Sequence, residues 1–230
     1  MLVTGDVAHR GRLAELEEAA AALRSLELPF LAVPGNHDIP YTFPARFTKT
    51  YATWDSVFGS HEFVYASEHL KVVGLSSVRP WRQQSGRLRA SQLERVAREL
   101  GGARGDTLRV VALHHHLAAP PWRAGRKRPL HRRDSVLRQL AEGGAELVVG
   151  GHVHQAGVAE RREFEVLNGE GSRGLVLSTA PGLGRPRPHR KGEAQGANVY
   201  EAGADTLAVT TYAWDGNILA QVARRVFSRG

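Results

Sequence analysis

Four short segments of the sequence combine residue types that bind divalent metal ions: Gly5-Asp6, Gly35-Asn36-His37-Asp38, His114-His115-His116 and Gly150-Gly151-His152-Val153-His154. Each follows an apolar run that ends in a glycine or a short turn. Carboxylate, amide and imidazole donors suit Mn, Fe or Zn. The chain has no cysteine, which excludes thiolate ligands and cysteine nucleophiles. The four segments together predict a metal site built from oxygen and nitrogen donors.

The elements around these segments explain how they would meet. Residues 1–4 and 30–33 are predicted strands on either side of a helix, whose apolar stripe recurs at helical spacing. Further strands are predicted at 63–66, 70–78, 108–113 and 146–149, and further helices at 93–100 and 135–142. This alternation favours parallel strands, whose carboxyl ends converge on one crevice. We therefore expect the four segments to face one another.

The last third of the chain differs from the rest. Short alternating runs at 175–178, 198–201 and 207–213 predict antiparallel strands that close a second sheet. Between 41 and 58, aromatic residues recur at helical spacing, which favours core or lid packing over a base-stacking platform. The fold class predicted is α/β, with two sheets.

Length and composition limit the choice of protein class. The chain has 230 residues, 42% of them hydrophobic, which suits one α/β domain with a full core. No apolar run is long enough to cross a bilayer, and no signal-peptide pattern opens the chain. We expect a cytoplasmic protein that does not bind membranes.

Positive charge is concentrated in two stretches, 123–133 and 185–191, within a net charge of +8. Such stretches raise the local concentration of anionic substrates or bind nucleic acid. They are equally typical of solvated loops. Only Trp122 lies near the first stretch, and sparse aromatics disfavour nucleic-acid binding.

At the four segments the chain resembles the calcineurin-like metallophosphoesterase superfamily. The signature of that superfamily is Asp-x-His, Gly-Asp, Gly-Asn-His-Asp/Glu, a strand-end His, and Gly-His-x-His; four of the five blocks stand between Gly5 and His154. The spacing is most similar to bacterial cyclic-nucleotide and glycerophosphodiester phosphodiesterases. The resemblance implies a four-layer αββα fold, a two-sheet sandwich flanked by helices, with residues 1–230 forming one domain.

The resemblance also implies roles for individual residues. Two divalent ions (Mn, Fe or Zn) would be bound by Asp6 as the bridging carboxylate, by Asn36, His114 and His152 at the second metal, and by His154 at the first. His37 would stabilise the transition state or protonate the leaving oxygen, and Asp38 would orient its turn. His115 and His116 are candidates for the substrate rim or for plain packing.

Two features depart from the superfamily pattern. His9 stands where the protein-phosphatase branch has a carboxylate, which argues against that branch. The Asp-x-His block and its strand are absent from the sequence, so the domain is expected to be incomplete at its N-terminus. The block belongs to a longer native chain, or a partner supplies it, or the protein is a one-metal or inactive relative with one ion in this chain.

The function expected is hydrolysis of a small anionic phosphodiester, or a monoester, by metal-activated water. Two alternatives remain: a non-catalytic module that binds a metal or phosphate ligand for regulation, and a nuclease of the same superfamily. Steep loss of polynucleotide affinity with salt would favour the nuclease. One tightly bound metal without turnover would favour the regulatory module. The sequence leaves the oligomeric state open.

Overall fold

A computed structural model of the chain describes residues 1–103, 105–118, 127–165, 174–184 and 193–229. The strands are β1 (Leu2–Val3), β2 (Leu31–Ala32), β3 (Phe63–Ala66), β4 (Leu70–Gly74), β5 (Leu108–Ala112), β6 (Leu147–Gly150), β7 (Gly157–Glu160), β8 (Val176–Thr179), β9 (Gly196–Ala202), β10 (Thr206–Trp214) and β11 (Leu219–Ser228). The helices are α1 (Leu13–Arg24), α2 (Ala45–Thr48), α3 (Ala52–Phe58), α4 (Ala90–Gly101) and α5 (Arg133–Glu142), with a 3-10 turn at Arg161–Glu163.

The largest sheet has the strand order β3-β4-β5-β6-β8-β7. Its four inner strands run parallel, and β3 and β7 pair antiparallel at the two edges. The strands β1 and β2 form a separate parallel pair, and β9 to β11 form an antiparallel sheet of three. The carboxyl ends of β4, β5, β6 and β8 therefore share one edge, as the alternation of elements predicted.

Alternate residues of the large sheet pack against opposite layers. On one face, Val73, Val111 and Val148 pack in the same buried cluster as apolar residues of α4 and α5. On the other face, the neighbouring valines pack against Leu207 and Val209 of β10. A third cluster covers the β1–β2 pair with α1 and α3. These layers confirm the predicted α/β fold class, a two-sheet sandwich flanked by helices.

One strand assignment from the sequence is wrong. The run at 175–178 was expected in the second, antiparallel sheet, but β8 lies in the large sheet and is parallel to β6. All four residues of β8 are buried. A strand that is buried on both faces is typically a continuous apolar run without alternation, and the run Leu175-Val176-Leu177 has that character. The structure also adds two strands: β7, which is only four residues long and half-buried, and β11, most of whose residues are exposed.

The aromatic segment from 41 to 58 folds as two short helices, α2 and α3. Trp54 is completely buried, as expected for core packing. Phe43 is 82% exposed, and the ring of Phe47 stacks on the exposed Trp81 at 4.7 Å between centroids. The prediction of core packing therefore holds for only part of this segment.

Within the described residues, no helix combines the length and apolar character that a membrane span requires. The basic stretch at 185–191 and residues 123–126 of the other stretch lie outside the described residues. The expected single domain over residues 1–230 stays a prediction.

Candidate metal centre

The ring nitrogen Nε2 of His114 is the point at which four of the predicted metal ligands meet. It lies 3.1 Å from Oδ1 of Asn36, 3.1 Å from Nδ1 of His152 and 3.4 Å from Oδ2 of Asp6. Ligands about 2.1 Å from one ion stand roughly 3.0–3.4 Å apart in octahedral or tetrahedral geometry. The four side chains follow the carboxyl ends of β1 and β2 in the small parallel pair and of β5 and β6 in the large sheet, and the structure brings these strand ends together.

The other nitrogen of His114 fixes which atom faces this group. Its Nδ1 lies 2.7 Å from the carbonyl oxygen of Thr4, which only accepts, so Nδ1 carries the proton and Nε2 presents its lone pair. The Asn36 amide is oriented with its oxygen towards Nε2. When His114 is neutral, lone pairs of Asp6, Asn36, His114 and His152 converge, and such an arrangement is repulsive unless a proton on His114 or a metal cation lies among them. The donor set therefore fits a divalent metal ion.

The pKa shifts of Asp6 and His114 also indicate that the centre attracts positive charge. Burial opposes ionisation of Asp6, but the charge of His114 and a hydrogen bond with it lower the pKa of Asp6 below its usual range. Burial opposes protonation of His114, yet the charge of Asp6 raises the pKa of that ring. These directions describe one electrostatic property, namely a buried negative group that attracts positive charge to His114.

The remaining histidines of the centre are held neutral. Burial, followed by positive charge at His114, lowers the pKa of both His115 and His152 far below the usual histidine range. Nitrogen atoms of His114, His115 and His152 lie within 4.8 Å of one another, and all three rings are buried. Neutral imidazoles are the form that binds a metal. We call these three residues the histidine cluster.

His115 enters this cluster although sequence reasoning placed it at the rim or in the packing. Its Nδ1 lies 2.9 Å from Oγ of Ser77, and its Nε2 is buried with no hydrogen-bond partner. Both ring nitrogens of the neighbouring His116 are also buried without a hydrogen-bond partner, and burial with the charge of Lys127 lowers its pKa to about 4. Nothing in the order of three consecutive histidines shows which of them turn inwards.

The backbone around the ligands adopts an uncommon conformation. Asp6, His152 and His154 have φ angles of 60°, 67° and 56°, in the left-handed region that costs about 1–2 kcal/mol per non-glycine residue. Asp and His enter it more readily than most residues. Three of the five non-glycine residues with positive φ in the described chain are predicted ligands, which is typical of functional sites.

Asp38 ties the two loops that carry Asp6 and Asn36. Its fully buried carboxylate accepts backbone N–H bonds from Asp6, Ala8 and Gly35 at 2.7–2.8 Å. Burial and the negative charge of Asp6 raise the pKa of Asp38 to about 7, although the hydrogen bonds from Gly35 and Ala8 act in the opposite direction. The predicted role in orienting the turn agrees with this position, because the contacts go to the backbone and not to the ring of His37.

The two loops also approach each other closely through glycine. A Cβ atom on Gly5, whose φ is 86°, would lie 2.3 Å from the backbone nitrogen of Gly35. Such a distance is far below van der Waals contact, so no other residue fits there without moving a loop. The glycine before Asp6 and the glycine before Asn36 are therefore needed to set the distance between these ligands.

His37 lies at the partly exposed side of the centre. Its backbone N–H donates a hydrogen bond to Oδ1 of Asp6 at 3.0 Å. Its Nδ1 lies 3.0 Å from the carbonyl oxygen of His9 and 2.8 Å from the hydroxyl of Tyr41. The Nε2 of His37 is therefore the ring nitrogen left for a substrate. His9 contacts His37 through its backbone carbonyl and through a stacked ring, with 5.9 Å between the ring centroids.

His154 lies two residues beyond His152 and is half-buried. A Cβ atom on Gly182 would stand 3.8 Å from its Nδ1, so the ring faces the segment after β8. The group of nitrogen atoms within 4.8 Å in the described chain does not include it. Its assignment to the first metal stays a prediction, as do the ligand and catalytic roles of the other residues.

The comparison with protein families agrees with this geometry. The family described as calcineurin-like phosphoesterase matches residues 1–156, more than half of the 230 residues. The chain therefore belongs to the calcineurin-like phosphoesterase family, and the resemblance inferred from the motifs is confirmed.

Individual proteins are similar to this chain at lower identity. A probable cyclic nucleotide phosphodiesterase of Synechococcus sp. is 29% identical over 174 residues, which are 70% of this chain and 60% of that protein. The match thus spans less than two thirds of that relative. Among solved structures, a Vps29 single mutant of Entamoeba histolytica is 13% identical with a TM-score of 0.47, covering 98% of both chains. A predicted phosphoesterase of Streptococcus pneumoniae is 13% identical with a TM-score of 0.41, covering 99% of this chain and 97% of that one.

Proposed function

We propose that the protein is a metal-dependent phosphoesterase that hydrolyses a phosphodiester with metal-activated water. One observation carries the proposal: the side chains of Asp6, Asn36 and His152 converge on Nε2 of His114 as oxygen and nitrogen donors that suit a divalent cation. Family membership supports the hydrolase class, and the similar Synechococcus protein supports a diester as the substrate.

Divalent ions bound here would lower the pKa of a bound water molecule and offset negative charge that develops on the phosphate. Asp6, Asn36, His114 and His152 would hold one ion, with Asp6 shared with a second ion. His154 is our candidate ligand for that second ion. Mn, Fe and Zn all suit this donor set.

The protein itself supplies position and a proton. The carbonyl of Thr4 orients His114 as a ligand, and Asp38 holds the loops of Asp6 and Asn36 in register. His37 is fixed at Nδ1 by His9 and Tyr41, so that Nε2 can bind a phosphate oxygen or donate a proton to the leaving oxygen. A ring held in one orientation loses little freedom when it does so, which is the basis of preorganised general acid catalysis.

The first test is hydrolysis of bis(p-nitrophenyl) phosphate by the chain reconstituted with manganese. We expect turnover that a chelator abolishes. Turnover that persists in full with excess chelator would contradict a metal-dependent reaction.

The second candidate function, a regulatory module that binds a metal without turnover, shares the donor set. His37 disfavours it, because a pure binding module has no use for a partly exposed imidazole fixed at one nitrogen. Calorimetric titration with manganese in parallel with the assay separates the two: tight binding without hydrolysis of diesters or monoesters would favour the module. We expect the protein to act on a small anionic ester in the cytoplasm, with nucleic acid as the less favoured substrate.

A further inference from the structure

A cavity beside the metal centre is lined almost entirely by basic and polar groups. Its volume is about 340 Å³, and its walls are Arg79, Arg82, Ser85, Arg128, Pro129 and His131. Since one water molecule occupies about 30 Å³ of liquid, the cavity has room for roughly ten, enough for a phosphate group with part of a sugar. We call it the arginine cavity.

Among the residues that the structure describes, no carboxylate lines the arginine cavity. Among the described residues, none of its three arginines forms an ion pair with an aspartate or glutamate. Desolvation, together with the positive charges of Arg79, Arg132, Arg87 and Arg82, lowers the pKa of His131, in keeping with a concentration of positive charge there. Guanidinium groups without protein partners are the groups that bind phosphate oxygens in pairs.

The cavity has two walls, residues 79–85 and residues 128–131. Backbone hydrogen bonds join these walls to each other and to the neighbouring histidines. The N–H of His131 donates to the carbonyl of Gly86 at 2.9 Å, and the N–H of Leu130 donates to the carbonyl of His116 at 3.0 Å. A Cβ atom on Gly86 would lie 2.4 Å from Cγ of His115. Gly86, which follows Ser85 of the first wall, therefore lies directly against His115 of the histidine cluster.

A second connection leads to His37. The side chain of Gln83, between Arg82 and Ser85 in the chain, donates to the hydroxyl of Tyr41, and that hydroxyl lies 2.8 Å from Nδ1 of His37. The wall that carries two of the arginines is thus in hydrogen-bonded contact with the group expected to meet the substrate. This contact places the cavity on the side of the centre where His37 is partly exposed.

We infer that the arginine cavity binds a second phosphate group of the substrate, so that the preferred substrate is a phosphodiester that also carries a phosphate monoester. This inference rests on the proposed function and adds a substrate class to it. The same chemistry would serve free inorganic phosphate, and the experiment has to separate these two sources.

The test compares two esters that differ only in the second phosphate: thymidine 5′-(p-nitrophenyl phosphate) and the same compound with a 3′-phosphate. With the manganese-loaded chain we expect kcat/KM to be at least about tenfold higher for the phosphorylated ester, since a charge-assisted hydrogen bond and a tenfold ratio are of similar free energy. In the double variant Arg82→Gln, Arg128→Gln, with one change in each wall, this ratio falls towards one.

The matched control is Arg224→Gln on β11. It removes the same charge from an exposed ion pair with Glu201 at 3.6 Å, and the ratio should stay as in the unchanged chain. Arg82 and Arg128 are both exposed, and neither forms an ion pair with the residues that the structure describes, so the double variant should fold. Thermal melting checks this, and each single variant serves if the double one melts early.

Equal kcat/KM for the two esters would overturn the inference, whether or not the cavity binds inorganic phosphate in a calorimeter. Phosphate binding that depends on the arginines, without a preference between the esters, would mean that the cavity takes free phosphate only. If neither ester is hydrolysed, the proposed function is contradicted, and the inference about the cavity is tested by binding alone. Thymidine 3′,5′-bisphosphate should then bind the chelator-treated chain at least about tenfold more tightly than it binds the double variant, and equal affinities would overturn the inference.

Discussion

The histidine cluster and the arginine cavity lie side by side, yet they are built in opposite ways. The cluster is buried, and its rings are fixed by the Thr4 carbonyl and the Ser77 hydroxyl. The cavity lies on surface turns, and its guanidinium groups have no carboxylate partners in the described chain. One region is organised before any ligand arrives, whereas the other gains its partners only from a ligand.

The difference reflects what each region has to bind. Convergent lone pairs repel one another, so the fold has to force them together, and it does so with strand ends and left-handed loop residues. Exposed arginines can lie near one another at little cost in free energy, because water and dissolved ions screen their repulsion. In the function proposed here, the chemistry would depend on the backbone that holds the metal ligands, while the choice of substrate would depend on replaceable surface side chains.

The largest effect is expected from Asp6→Asn in the cluster. Asparagine tolerates the left-handed φ of 60°, so the loop should persist while the negative charge is lost. Loss of groups that merely support a ligand already costs about 10–100-fold in metal affinity or activity, so we expect metal content and turnover to fall at least that far. Elemental analysis and the diester assay measure both, with the exposed Asp134→Asn as control. Unchanged metal stoichiometry would exclude Asp6 as a ligand.

A loss confined to turnover, with the metal content unchanged, is expected from His37→Ala. Removing a general acid typically slows a reaction about 10²–10⁴-fold, and the metal ligands stay in place because the contact of residue 37 with Asp6 is through the backbone N–H. The same two measurements apply. Loss of the metal along with turnover would make His37 a ligand and would contradict the role assigned to it.

Asp38→Asn tests whether the loops depend on one carboxylate. An asparagine can accept from some of the three N–H groups but turns its own NH₂ group towards the others, leaving a buried donor unsatisfied. This should lower the free energy of unfolding by about 1–3 kcal/mol, as measured by urea denaturation. Asp55→Asn is the control, because Asp55 is 39% exposed and contacts His61; its cost should be about 1 kcal/mol or less. An equal decrease in the free energy of unfolding for the two variants would contradict the role of Asp38 in holding the two loops.

The sequence predicted the centre better than its surroundings. The alternation of strands and helices predicted that the segments of Asp6, Asn36, His114 and His152 face one another, and atoms of Asp6, Asn36 and His152 lie within 3.4 Å of one nitrogen of His114 although β1 and β2 belong to a separate pair of strands. The groups that orient them could not be predicted, since a backbone carbonyl such as that of Thr4 carries no signal in the sequence. The left-handed angles at His152 and His154 are equally invisible, because histidine does not signal them as glycine would.

The arginine cavity was only half visible in the sequence. Arg128 belongs to a basic stretch that stood out by composition, whereas Arg79 and Arg82 belong to no such stretch. They meet Arg128 because a single backbone bond, from His131 to Gly86, joins two turns that are distant in the chain. A site that depends on one contact between loops leaves no periodic pattern, while a site at strand ends follows from the period of the strands themselves.

The smallest expected effect is that of salt, and it distinguishes the two regions without any mutation. The Debye length is about 10 Å at 0.1 M salt and about 3 Å at 1 M, so exposed arginines lose much of their attraction for phosphate as salt rises. Thymidine 3′,5′-bisphosphate should bind the chelator-treated chain about fivefold more weakly at 0.5 M than at 0.05 M sodium chloride. Manganese affinity should change much less, because the ligands are buried and dissolved salt screens buried groups only weakly. Calorimetry at both salt concentrations measures the two affinities, and equal salt dependence would mean that cavity and cluster are exposed to solvent alike.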